Sequence, residues 1–114
     1  MNDYGLIDTS KQDKNRKRNE RRRERELNDI KKLLSCVEGR RFIWRIFTEA
    51  GLYRNCFTGN STSFFYQGKQ SIAQWLLDEV MSADRNAFAQ IQLEFYSEQK
   101  SLEIQQQKEE KDNE

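Results

Sequence analysis

The residues that could do chemistry are few, and their types argue against catalysis. The chain has 114 residues and no histidine, which removes the commonest general base and the commonest metal ligand together. A histidine-assisted nucleophile and a zinc site are therefore ruled out. Cys36 and Cys56 lie beside acidic and basic neighbours, Glu38, Arg40 and Arg54, but lack an activating base. Asp78 and Glu79 occupy adjacent positions that point apart on a helix, so they do not form a carboxylate pair. The segment Gly59-Asn60-Ser61-Thr62 offers glycine and hydroxyls to a phosphate, yet it lacks the GK[ST] ending and a preceding buried strand. It reads instead as a tight turn with capping side chains. No catalytic, cofactor-binding or metal-ligating residue is expected, and no small-molecule substrate.

The remaining chemistry is charge and aromatic surface. The formal net charge of +1 conceals a gradient: residues 1–32 carry net +4, residues 33–97 are balanced, and residues 98–114 carry net −3. Lys14, Arg16, Lys17, Arg18, Arg21, Arg22, Arg23 and Arg25 form a basic block that could contact a nucleic-acid backbone, diluted by Glu20, Glu24 and Glu26. Mixed charges of this kind also suit an exposed or protein-docking helix, so both readings stand. With no aromatic interleaved, contact with phosphates is favoured over base stacking. Eight of the thirteen aromatics and four of the five glycines fall within residues 39–68. Trp44, Tyr53, Tyr66 and Trp75 among the aromatics are types enriched at protein interfaces and equally able to fill a core.

These groups must be positioned by helices. Leu27, Ile30, Leu33, Leu34 and Val37 recur along one helical stripe. Residues 11–26 are rich in Arg, Lys, Glu and Gln, which lose little rotamer freedom in a helix. A first helix from about Asp13 to Cys36 is expected, its basic half projecting from the body. Gly39 is the expected break, followed by a second helix over Arg40 to Ala50, with Phe42, Ile43, Ile46, Phe47 and Ala50 on its apolar face and Trp44 away from it. Gly51 ends it. Residues 52–63 lose the helical period and supply turn chemistry. Tyr53, Phe57, Phe64 and Phe65 are expected to fold this loop back over the helices, and Ser61 to Ser63 to cap the next helix. That third helix is expected from about Gly68 to Met81 on Ile72, Ala73, Leu76, Leu77 and Val80, and a fourth, capped by Asp84, on Ala87, Phe88, Ile91 and Phe95.

The expected fold is therefore all-α: three to four helices with a long charged N-terminal helix and an ordered aromatic and glycine-rich loop. Residues 1–26 form a basic arm, 27–97 the helical domain and 98–114 an acidic helix end passing into disorder. Residues 1–10, anchored only by Tyr4, Leu6 and Ile7, are expected to be mobile or to dock on a partner. A domain of this size buries only about 60% of its unfolded surface, so association with itself or with other chains is expected. The chain starts Met-Asn-Asp-Tyr without a basic-then-apolar leader, so a reducing compartment and two buried free thiols are expected. No apolar run approaches the roughly 20 residues that span a bilayer.

Glu38-Gly39-Arg40-Arg41-Phe42 with Trp44-Arg45, Glu49-Ala50-Gly51-Leu52-Tyr53-Arg54, and Phe57-Thr58-Gly59-Asn60-Ser61-Thr62 with Phe64-Phe65 and Gly68 form a further pattern. Over residues 34–81 it resembles a family of small, uncharacterised proteins of short-tailed, podovirus-type bacteriophages, encoded among virion-assembly genes. The resemblance implies a non-catalytic virion-associated or assembly protein, present in the host cytoplasm during assembly or in the particle, with other phage structural proteins as partners. In that setting Arg40, Arg41, Trp44, Arg45, Tyr53, Arg54, Phe57, Asn60, Phe64 and Phe65 are the expected partner-binding residues. The alternative is a genome-associated or regulatory nucleic-acid-binding protein that uses the basic block.

Overall fold

The computed structural model describes residues 9–113, so the expectation for the first eight residues lies outside the described part. All regular structure described is helical: α1 (Thr9–Leu34), α2 (Val37–Glu49), α3 (Thr62–Ala83) and α4 (Ala87–Asp112). The fold is thus a small all-α domain of four helices. α1 has 26 residues, about 39 Å of helix, and its first 18 contain no apolar side chain. α4 is equally long and carries the acidic end as helix to Asp112.

The break after α1 comes at Ser35 and Cys36, earlier than Gly39. The Ser35 hydroxyl donates to the Lys32 carbonyl, and Cys36 caps α2 by accepting the Gly39 N–H on its sulfur at 3.4 Å. Gly39 sits in the first turn of α2 for a different reason: a Cβ there would overlap the Leu33 carbonyl oxygen. Only glycine lets the two helices meet this closely. Gly51 ends α2 as expected, with φ of 71°. Its N–H reaches the Thr48 carbonyl at 3.1 Å and the Leu52 N–H reaches Phe47 at 3.0 Å, the paired bonds of a Schellman motif.

α3 begins earlier than expected, so Phe64, Phe65 and Tyr66 are helical. The Asn60 side chain accepts the Thr62 N–H at 3.0 Å, and the Ser63 hydroxyl accepts the Thr58 N–H at 2.9 Å. Ser61, which stands at the cap position, makes no side-chain bond. Between α3 and α4 the Asp84 carboxylate accepts the Asn86 N–H at 2.9 Å, holding the turn rather than capping α4.

The core is one cluster: Leu34 from α1, Ile43 and Phe47 from α2, Ala73, Val80 and Ala83 from α3, and Ala87 and Ile91 from α4. Three alanines let the backbones approach closely. α2 is rotated from its expected orientation. Phe42 is 57% exposed, while Trp44 turns inward, its ring 4.7 Å from that of Phe95 on α4. Phe47 meets Phe88 edge-on at 5.5 Å. The reason is that α2 also packs on α4, so a wide indole fills the seam between them and Phe42 is carried outward.

The radius of gyration is 22.4 Å, against about 13 Å for a compact chain of this length. The two long helices account for the difference, giving extents of 94 × 41 × 15 Å.

Two glycines in helices predict opposite outcomes. Gly39→Ala should cost about 1–3 kcal/mol because backbone must move. Gly68→Ala meets nothing within 4 Å and should stabilise by about 0.5–1 kcal/mol through helix propensity. Urea unfolding of both variants beside the parent checks the signs.

Candidate docking site

The expected partner-binding residues fall into two neighbouring groups. Arg40, Arg41, Trp44 and Arg45 of α2 line a groove of about 530 Å³, closed on the other side by Ile91, Glu94, Phe95 and Glu98 of α4. Trp44 also borders a smaller hollow of about 240 Å³ that includes Tyr53 and Arg54. Phe57, Asn60, Phe64 and Phe65 lie apart from both, on the loop and the first turn of α3.

Arg40, one of the expected partner-binding residues, has a side chain only 13% exposed. Its Nε donates to both Glu94 carboxylate oxygens at 3.0 Å, its Nη2 lies 2.8 Å from Oε1, and its Nη1 donates to the Leu34 carbonyl at 2.8 Å. One guanidinium thus joins α2 to α4 and satisfies the end of α1. Hydrogen bonding from Arg40, together with its positive charge, holds the Glu94 carboxyl below its usual range against the opposing effect of burial. Arg41 and Arg45 remain exposed, Arg41 within 4.0 Å of Glu38.

The loop does not fold its aromatics inward. Phe57 is 80% exposed, Phe64 76%, Tyr53 70% and Phe65 65%. It is nonetheless tied down by Gln70, a residue that sequence reasoning missed. The Gln70 amide donates to the Gly51 carbonyl at 3.0 Å, to Leu52 at 3.3 Å and to Arg54 at 2.8 Å. Its oxygen accepts from the Cys56 thiol at 3.4 Å. The available signal was its place on the inward stripe Tyr66, Gln70, Ala73, Leu77, where it is the lone amide. Further along, the Thr58 hydroxyl bonds the Asn60 side chain, Thr62 and Ser63, each at 2.9 Å. The Arg54 guanidinium covers the Tyr66 ring at 3.5 Å. Gln92 of α4 donates to the Tyr53 hydroxyl at 2.9 Å. Cys56 is buried as expected, whereas Cys36 is exposed, because its sulfur serves at a helix start on the surface.

The eight residues of the basic block all lie on α1. Two are engaged within the molecule: Arg23 with Glu79 at 2.7 Å and Glu26 at 3.2 Å, and Arg16 with Asp13 at 3.7 Å and Glu20 at 3.9 Å.

No family model, curated protein or solved structure matches the chain. No helix among the described residues is long and apolar enough to cross a membrane.

Two measurements check this geometry. The ion pair should contribute about 1–3 kcal/mol at neutral pH. Because the folded pKa of Glu94 is lowered, that contribution is fully present above the usual carboxylate value of about 4.3 and is lost as pH falls through the lowered value. The stability gap between the parent and Glu94→Gln should accordingly be constant near neutrality and close in acid. A gap unchanged down to about pH 2 would contradict the assignment. Gln70→Ala should free the loop and raise the rate of Cys56 thiol labelling at least about tenfold, while exposed Cys36 labels equally fast in both proteins.

Proposed function

We propose that the protein is a non-catalytic docking module of a bacteriophage particle or of its assembly, binding other phage structural proteins through the aromatic end of the molecule. The observation that carries this reading is that Phe57, Phe64, Phe65 and Tyr53 stand at 65% exposure or more on a segment held in place by side-chain hydrogen bonds. Large apolar groups on a pre-ordered support lose little conformational freedom when a partner covers them, which favours their use as anchors. The groove beside Trp44, apart from those rings, offers a second apolar floor with Arg41 and Arg45 at its edge. The phage setting rests on the resemblance of residues 34–81, and the host cytoplasm during assembly is where such docking would occur.

Mass spectrometry of purified particles and of assembly intermediates tests the reading. The chain should be present in at least one of them, and absence from both would rule it out. A Phe57→Ala, Phe64→Ala double variant should keep its helix content by circular dichroism and lose at least about 2 kcal/mol of docking energy, roughly a 30-fold weaker complex.

A further inference from the structure

From Thr9 to Glu26 α1 sorts its charges by face. Helical residues turn by about 100° each, so Lys11, Lys14, Lys17, Arg18, Arg21, Arg22 and Arg25 fall within an arc of about 140°. All seven are exposed, and none has an ion-pair partner among the described residues. Asp13, Glu20, Glu24 and Glu26 lie outside that arc, as do Arg16, which pairs with Asp13 and Glu20, and Arg23, which pairs with Glu26 and Glu79. Asp29, one turn beyond Arg25, is the first carboxylate to fall in the basic arc. Arg23, Leu27, Ile30 and Leu34, on the side that meets α3 and the core, centre about 180° away from the basic arc. The stripe therefore points directly away from the body of the protein.

We infer that this stripe is a binding surface for the phosphate backbone of duplex DNA, independent of the docking proposed for the aromatic end. Charge and spacing both favour that occupant. From Lys11 to Arg25 the helix rises about 21 Å, so seven cations present one charge per roughly 3 Å. A strand of duplex DNA carries one phosphate per about 3.4 Å of axis. Four of the seven are arginines, whose planar donor forks suit phosphate oxygens. Thr9 to Glu26 contains no apolar side chain, so the helix has no face to sink into a lipid surface. It also has no aromatic for stacking on unpaired bases. Recognition is by backbone charge alone and is independent of base sequence.

The test is binding of the full chain to a mixed-sequence DNA duplex of about 30 base pairs over roughly 50–200 mM salt. If about six phosphates are engaged, log affinity should fall with log salt at a slope near −5. Replacing Arg18, Arg21, Arg22 and Arg25 by Gln, a residue of similar helix propensity, should reduce that slope to about −2 and weaken binding by at least about 100-fold. Arg16→Gln, on the engaged face, should leave slope and affinity unchanged. Failure of the parent chain to bind at about 50 mM salt would overturn the inference, as would a slope shallower than about −1. So would equal loss on Arg16→Gln, or tighter binding to anionic lipid vesicles than to the duplex. Circular dichroism on each variant confirms that the helix is retained, and the parent's own salt slope decides the matter even where a variant fails to fold.

Discussion

The Arg40 guanidinium is where the arrangement of the helices is decided. A core of eight buried residues, three of them alanine, supplies attraction without direction, and smooth helices packed on so small a cluster could slide or rotate at little cost. The fork of Arg40 removes that freedom. It binds the Glu94 carboxylate through two nitrogens and reserves a third for the Leu34 carbonyl, so α1, α2 and α4 meet at one side chain. Only a planar group with donors on several edges can do this; a lysine ammonium in the same place would lack the parallel pair. The close approach of Gly39 to Leu33 belongs to the same corner, since the turn from α1 into α2 must be tight for Arg40 to reach back.

Directed polar bonds do comparable work at the other end. Gln70 gathers three backbone carbonyls that come after α2, and Thr58, Asn60, Thr62 and Ser63 satisfy one another at the start of α3. The loop is thereby held without burying its phenylalanines, Tyr53 adding one tie through its hydroxyl to Gln92. Order comes from amides and hydroxyls, and the rings of Phe57, Phe64 and Phe65 stay exposed.

Helix content was legible because apolar periodicity is a local signal. Ala73, Leu76, Leu77 and Val80 repeat at helical spacing and all face the core, and Gly51 marks a helix end by the left-handed conformation it alone adopts cheaply. What was not legible depended on relations between helices. The orientation of α2 could not be read from its own sequence, because Phe42 and Trp44 are both large and apolar and the choice between them is made by Phe95 on α4. Gly39 looked like a break because its true reason, a backbone contact from the preceding helix, leaves no mark on local propensity. Of the site, the aromatic and basic residues were identifiable by type. Their exposure, the engagement of Arg16, Arg23 and Arg40, and the anchoring role of Gln70 required the third dimension.

The 94 Å length set against a 15 Å thickness has a hydrodynamic consequence. Translational friction on so elongated and flat a body exceeds that on a sphere of equal mass, and end-over-end tumbling is slower than rotation about the long axis. On a sieving column a single 13.7 kDa chain would elute ahead of globular standards of its own mass and be taken for a dimer.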